Sequence, residues 1–555
     1  FIPVIFKRFI VFSILIFSSI YLFSQEWMYN ASTGKLENNY YTIKENFNNY
    51  WLTHDPKVKA KGFKAGKRWL EHWKYKVDEN GRFPAANANL DAYNEYLNTH
   101  LTGSTDRAER SAADWTSLGP NTSPGGYGGN GRINSIGFHP TDANIIYIGA
   151  AGGGLWKTTD GGTTWNPLTE SIGSMGISGI VVLPSDPNTI YIATGDGDAS
   201  DNYSVGVLKS TDGGVTWNTT GLNWTTSNQR TIRRLVLDPN DENTLIAATS
   251  NGIYRTTNAG TTWSQVITGN YYDLEANTLA TTNIFYASTS TAVYKSSDNG
   301  ATWTSVYTIS GSNRIALAVS PANNTYLYAL SSKSANSGYN GLFRSTDSGV
   351  SFTSQSTTPN VLGYNQDGMD TGGQGWYDLC LAVDPLDVNI VYSGGVNIWK
   401  STNGGTSWTI NTMWYGGTGL PTVHADKHVF EWKGSNLFNG NDGGVYKTTN
   451  GGTSWTDITS NLAISQMYRL GVSQSDAKVI AGLQDNGTKL RSTAGVWSDE
   501  IGGDGMECII NPTTPNTMYG ELYYGDIQRS TNGGTSWTSI TPPGGANGDW
   551  ITPYT

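Results

Sequence analysis

Thr158-Thr159-Asp160-Gly161-Gly162-Thr163-Thr164-Trp165 is the stretch that decides the fold. Its pattern of hydroxyl residue, Asp two places on, Gly and a closing aromatic recurs seven times. The copies are Ser210–Trp217, Thr256–Trp263, Ser296–Trp303, Ser345–Phe352, Ser401–Trp408, Thr448–Trp455 and Ser530–Trp537. Asn258, Asn403, Asn450 and Asn532 stand where the others have Asp, and keep a side-chain acceptor. The starts lie 40 to 56 residues apart, with one interval of 82 that holds a unit without the turn, from about Tyr468 to Trp497. A fixed period of this length marks stacked supersecondary units. In such a turn the Asp or Asn accepts from backbone amides, Gly supplies a positive φ, and Trp fills space between sheets. The boxes therefore carry fold rather than a metal or a reaction.

Working outward, each unit has an apolar strand ending near Pro, a strand with Tyr or Ile, a Gly-containing loop, and a third strand running into the box. Four strands at this period predict an all-β chain, a large β-propeller of four-stranded blades. Nine complete units are legible, and Trp550-Ile551-Thr552-Pro553 reads as the first strand of a tenth. The expectation is one ring of about ten blades over 111–555, the last one truncated. Asp114–Leu118 echoes Thr164–Leu168 and is expected to add an outer strand to the last blade, closing the ring.

The region before this reads differently. Lys7 and Arg8 precede fifteen largely apolar residues, Phe9 to Phe23, and then Ser24-Gln25. A basic flank, a short apolar run and a small residue predict a signal peptide over 1–24 and hence export, with no membrane span left after cleavage. Residues 25–110 are sparse in Gly, and 36–52, 63–77 and 87–101 show helical spacing, which predicts a small helical leader or pro-region. The 67 Gly, 20 Trp and 31 Tyr with 14% charged residues argue for a folded chain. A net charge of −10 without a basic stripe argues against a nucleic-acid partner. Cys380 and Cys508 fall at similar places in different repeats and are expected to be buried free thiols.

Blade topology sorts the polar residues. Boxes and Pro turns share one end of the ring. The approach to each innermost strand and the loop between second and third strands share the other end, where ligands of propellers bind. Gathered there are Arg132, Trp376, Tyr377, Asp378, Asp442, Gln484, Asp485 and Asp504. His424-Ala425-Asp426-Lys427-His428 enters an innermost strand, and alternation puts His424, Asp426 and His428 on one face. Two imidazoles and a carboxylate could ligate a metal, but no fourth ligand is evident, so a hydrated polar lining without metal is expected. No cofactor motif is found, and the acidic loop Asp196–Asp201 reads as solvated. Paired channel carboxylates suit glycoside hydrolysis when separated by about 5–5.5 or 6.5–9.5 Å.

The boxes identify the chain as similar to the Asp-box superfamily. Gly153–Lys157, His424–His428, Asn441–Tyr446 and Gly482–Gly487 resemble its sortilin-type branch most. That resemblance implies a ten-bladed, extracellular binding module for a peptide, protein or glycan. Trp165–Glu170 also resembles the first-blade segment of xyloglucanase-type endoglucanases, which use two seven-bladed propellers with acidic residues in the cleft between them. That second resemblance implies a glycoside hydrolase drawing on Glu170, Asp378, Asp426 or Asp504 and acting on a polysaccharide. Glu170 stands where those enzymes carry a catalytic Asp. The binding module is the first expectation and the hydrolase the alternative, with Trp376, Tyr377, Trp414 and Tyr415 available to stack on a ligand.

Overall fold

The computed structural model describes residues 26–28, 37–56, 62–84, 116–122 and 128–554, apart from 171, 173–175, 201, 278–283 and 542–547, with single positions between 88 and 95. The proposed signal peptide and most of 87–101 lie outside the described residues. Each box adopts the turn that its residues dictate. Asp160 Oδ1 accepts from the backbone N–H of Thr163 (3.0 Å) and Thr164 (2.9 Å), and Oδ2 accepts from the Thr164 hydroxyl (2.7 Å). Thr158 Oγ1 accepts from the Gly162 N–H, and Gly161 and Gly162 have φ of 73° and 98°. Where Asn replaces Asp the hydroxyl reverses role: Asn258 Nδ2 donates to Thr262 Oγ1 (2.9 Å).

Nine antiparallel sheets result, each with its four strands in sequence order. The first contains Ile133–Phe138, Ile146–Ala150, Gly154–Thr158 and Asn166–Pro167. The others span 177–223, 232–268, 273–308, 312–356, 380–412, 427–457, 467–501 and 505–539. Second strands such as Ile146–Ala150 and Ile190–Thr194 are buried throughout, because neighbouring sheets cover both faces. The outer Asn166–Pro167 is exposed.

A box Trp reaches back to the sheet before its own. Trp217 donates to the Leu168 carbonyl (2.9 Å), Trp408 to Ser356 Oγ (3.0 Å) and Trp455 to Asn411 Oδ1 (3.0 Å). Trp165, in the first sheet, donates to the carbonyl of Ile458, just past the seventh (2.9 Å). Ile133 and Ile148 share a core with Val429, Phe438 and Val445, and Lys433 Nζ reaches the His139 carbonyl (2.6 Å). Seven sheets therefore close on themselves. The eighth and ninth pack on each other, joining Ile480 and Leu490 to Cys508, Ile510 and Met518. The propeller of four-stranded blades stands, but its sheets divide as seven and two rather than running in one ring of about ten. The period encodes the blade, while the angle between blades is set by side-chain packing that no single repeat specifies.

The two ends of the expected ring also behave differently. Of the expected closing strand Asp114–Leu118, residues 114 and 115 lie outside the described residues, while Leu118 and Thr122 bond to Trp497 of the eighth sheet. Trp550 stacks on Tyr523 (5.4 Å between ring centres), and Thr552 N–H donates to Glu521 Oε1, so this segment packs on the ninth sheet without forming a strand. Cys380 and Cys508 are free and buried, and burial raises both thiols above their usual range.

Helices α1 (Tyr40–Leu52) and α2 (Phe63–Lys74) form a separate layer. Asn39 caps α1 by accepting from the Tyr41 and Thr42 N–H groups. Tyr40, Ile43, Phe47 and Trp51 bury one stripe of α1 against Leu70 of α2 and against Trp27. Gly66 permits the contact, since a Cβ there would lie 2.3 Å from the Phe47 ring. Among the described residues no helix is long and apolar enough to cross a membrane.

Candidate functional site

The innermost strands and the loops between second and third strands bring charged side chains together in the seven-sheet ring. Arg132 leads into the first sheet; its guanidinium donates to the Tyr377 hydroxyl (2.7 Å) and pairs with Asp196 (2.7 Å). Asn134 donates to the other Asp196 oxygen (2.8 Å). Arg314, from the fifth sheet, pairs with Asp198 (2.6 Å) and donates to the Tyr377 carbonyl (2.6 Å). His428 joins Asp198 through Nδ1 (3.0 Å) and Asp442 through Nε2 (2.9 Å), and the Tyr377 hydroxyl donates to Asp442 (2.9 Å). Burial opposes charge on His428, yet Asp442 and Asp198 push it up to about 10, so it is a two-donor imidazolium. Burial likewise opposes charge on Asp198, but Arg314 and His428 hold it well below the carboxylate range.

Beside this network sit groups whose charge is suppressed. Asp378 is fully buried and neither carboxyl oxygen has a hydrogen-bond partner. Burial, then Asp426, pushes it far above the carboxylate range. Asp426 accepts from Gln374 Nε2 (2.9 Å); burial, then Asp442 and Asp485, lifts it to about 7. Lys427 is fully buried and burial lowers it to about 7. Its Nζ donates to the carbonyls of Val396 (2.7 Å), His424 (2.6 Å) and Val423 (3.3 Å), one acceptor for each of three donors.

The ring meets the eighth and ninth sheets at a seam. Asn486 Nδ2 donates to the Asp442 carbonyl (3.0 Å), and His424 Nε2 lies 3.1 Å from the Asp485 carbonyl. Gly443 must be glycine here, because a Cβ would come within 2.3 Å of the His424 ring. Burial pulls the His424 imidazole below its usual value. Asp485 lies between the second and third strands of the eighth sheet, and Asp504 leads into the first strand of the ninth. The Asp485 N–H donates to Asp504 Oδ1 (3.1 Å). Arg68 of α2 contacts both carboxylates, Asp504 at 2.6 Å, and Lys64 pairs with both as well, Asp485 at 3.7 Å. Burial opposes charge on Asp485, and Arg68 and Lys64 hold it well below the carboxylate range.

The structure therefore brings Arg132, Tyr377, His428 and Asp442 into one network, with Asp378 and Asp426 adjoining. His424, Asp485 and Asp504 lie at the seam, and Gln484 accepts there from the Tyr468 hydroxyl (3.1 Å). Glu170 is exposed after the first sheet's outer strand and bonds to none of these residues. Trp376 is half-buried, tilted on Tyr377 with its carbonyl accepting from Arg314, rather than offering an open face. Strand alternation does not put His424, Asp426 and His428 on one face. The strand begins only at Lys427, and Asp426, with φ of 61°, turns the chain first. Among the described residues no group of three His, Cys, Asp or Glu side chains is placed to hold a metal. The reading of Asp196–Asp201 as solvated is corrected: Asp196 is fully buried and Asp198 nearly so. Sequence reasoning missed Arg314, Lys64 and Arg68, and named Asp196 and Asp198 only as part of a solvated loop. The one available signal was acid at a second-to-third-strand loop of the mouth.

No protein-family model matches the chain. A xyloglucanase of a Paenibacillus species is 27% identical over 319 residues, covering 54% of this chain and 27% of that protein. A xyloglucanase of Acetivibrio thermocellus is 36% identical over 152 residues, covering 25% of this chain and 18% of that protein. The chain thus spans about a quarter or less of these curated relatives. Among solved structures, the Niastella koreensis GH74 enzyme aligns with a TM-score of 0.55 at 17% identity, over 76% of this chain and 68% of that one. An ancestral GH74 enzyme aligns with a TM-score of 0.54 at 17% identity, over 76% and 63%. These relatives do not show the sortilin-type branch. The chain is related in sequence to xyloglucanase-type hydrolases and shares with GH74 enzymes a propeller of four-stranded blades.

Proposed function

We propose that this chain is part of an exported glycoside hydrolase that cleaves a β-glucan of the xyloglucan class at the seam between the seven-sheet ring and the following sheets. The observation that carries this reading is the pairing across the seam of carboxyls displaced in opposite directions. Asp426, lifted to about 7, keeps its proton through weakly acidic pH and about half of it at neutrality, while Asp485 is held ionised beside buried Asp504. Environments that separate two carboxyls in this way suit a proton donor and a base on either side of a glycosidic bond. Similarity to xyloglucanases supports a polysaccharide over the peptide ligand of the sortilin-type expectation. In this reading Asp426 is the acid and Asp504, with Asp485, forms the basic side. Glu170, exposed, has no part in it.

The test is release of reducing ends from xyloglucan and other β-glucans by the secreted protein and its Asp504→Asn and Asp426→Asn variants. Loss of one proton-transfer group is expected to lower kcat by about 100-fold or more. Sugar release that survives both substitutions would remove these residues from the reaction.

The second reading is a glycan-binding module without chemistry. It is favoured by one observation: Asp504 is fully buried beneath Lys64 and Arg68. Xyloglucan binding unchanged in Asp504→Asn, without any sugar release, would select it.

A further inference from the structure

We infer that helix α2 is an intramolecular stopper of the seam: Lys64 and Arg68 occupy Asp485 and Asp504, and an outside ligand reaches these carboxylates only when the helix leaves. The identity of that ligand rests on the hydrolase reading; the occlusion does not.

Four observations carry the inference. First, Asp504 has no exposed side-chain surface, whereas the Lys64 side chain above it is 48% exposed, so the cations approach from the solvent side. Second, Asp196, Asp198 and Asp442 of the seven-sheet ring are neutralised by cations of the ring itself, Arg132, Arg314 and His428. The cations on Asp485 and Asp504 instead come from another layer of the molecule, more than 400 positions away in sequence. Two close carboxylates out of water require such neutralisation, and here the propeller borrows it.

Third, the helical layer has its own core. Trp27, Tyr40, Ile43, Phe47, Trp51 and Leu70 cluster together, and every side chain packed on them comes from the same N-terminal region. The stripe that stabilises α2 therefore faces α1, and the helix need not give up that core to leave the seam. Fourth, α2 also holds the propeller through a few further side chains, among them a largely buried Glu71. Phe63 stacks on Tyr524 at 6.1 Å, Glu71 pairs with Arg469 at 3.1 Å, and Lys67 lies 3.9 Å from a well-exposed Asp549. Salt screens the exposed pair of Lys67 with Asp549, as the Debye length shrinks from about 10 Å at 0.1 M to about 3 Å at 1 M. It screens the pairs on buried Asp504 and Asp485 much less, so removing the two cations is the stronger lever.

The experiment uses the full chain, and compares wild type with Lys64→Glu/Arg68→Glu and Lys64→Gln/Arg68→Gln. Carboxyl labelling with a water-soluble carbodiimide and glycine ethyl ester is read at Asp485 and Asp504 by peptide mass spectrometry. Xyloglucan hydrolysis is measured in parallel. Wild type is expected to resist labelling at both positions in 0.1 M salt and to label only slightly faster in 1 M salt. Both double variants are expected to label about tenfold faster, with kcat/KM raised about tenfold or more. Carboxylates that stay protected in the variants would overturn the inference, as would a wild type that cleaves as fast as the variants. Labelling that rises while no protein cleaves would leave the stopper standing and end the hydrolase reading. If a double variant fails to fold, the single Lys64→Gln variant, at a half-exposed side chain, decides the matter by the same labelling.

Discussion

At the scale of single residues, the seam and ring centre hold charges whose pH dependence has a definite sign. His428 has an ordinary value of 6.5 and is raised to about 10 in the fold. Its contribution is complete below about 6.5 and is lost as pH rises through about 10. Replacing it with Gln removes the cation between Asp198 and Asp442, leaving Asp198 to Arg314 alone and Asp442 to the Tyr377 hydroxyl, which is expected to cost about 3–5 kcal/mol near neutral pH. Chemical denaturation at pH 6 and pH 10 checks this, and the gap between wild type and variant should narrow at the higher pH. Asp426 has the same sign, in a lower window of pH. Its carboxyl, ordinarily near 3.8 and lifted to about 7, favours the fold when protonated, so that benefit fades from about pH 4 to pH 7 and is flat above. Asn at this position mimics the neutral acid and keeps the contact with Gln374. Asp426→Asn should match wild-type stability near pH 4 and exceed it at pH 8, by about 1 kcal/mol or more. An equal difference between variant and wild type at both pH values would show that the fold does not shift the Asp426 carboxyl.

At the scale of elements, the box explains both its variation and its constants. Asp and Asn interchange because the neighbouring hydroxyl can donate to a carboxylate or accept from an amide, as Thr164 and Thr262 do. Asn258→Asp is therefore expected to change stability by less than about 0.5 kcal/mol, whereas Asn258→Ala should cost about 1 kcal/mol. Gly162 is not interchangeable. It sits at φ of 98°, and a Cβ would come within 2.9 Å of Ile458. Gly162→Ala combines left-handed strain with a clash at the junction of first and seventh sheets, and should cost about 1–3 kcal/mol. Thermal unfolding of the three variants would rank them; an Ala at 162 as stable as wild type would mean that the junction yields freely.

At the scale of the whole molecule, closure after seven sheets is the feature on which the seam depends. It is held by apolar packing of Ile133 and Ile148 on Val429 and Phe438, and by the indole N–H of Trp165 on the Ile458 carbonyl. Trp165→Phe keeps an aromatic filler and removes only that donor, for a loss of about 1 kcal/mol. Hydrogen exchange should then quicken first in Ile146–Thr158 and Gly444–Thr448, the strands flanking the junction, before the third to fifth sheets respond. Uniform quickening around the ring would mean that the junction is no weaker than any other contact between blades. Because Asp426, Asp442 and His424 belong to the seventh sheet, loosening there also moves the ring side of the seam relative to Asp485 and Asp504.

The amino-acid sequence alone determined the blade, because Asp160, Gly161, Gly162 and Trp165 act within a few residues of one another and local chemistry repeats with the period. It likewise marked Arg132, Tyr377, His428, Asp485 and Asp504 as belonging to one end of the blades, since strand order settles which loops share an end. Only the tertiary structure decided that the seventh sheet meets the first, that Asp196 and Asp198 are buried counter-ions rather than solvated loop, and that Lys64 and Arg68 lie on Asp485 and Asp504. Those facts depend on the angle between packed sheets and on charges brought together across more than 400 positions, and neither leaves a periodic trace in the chain.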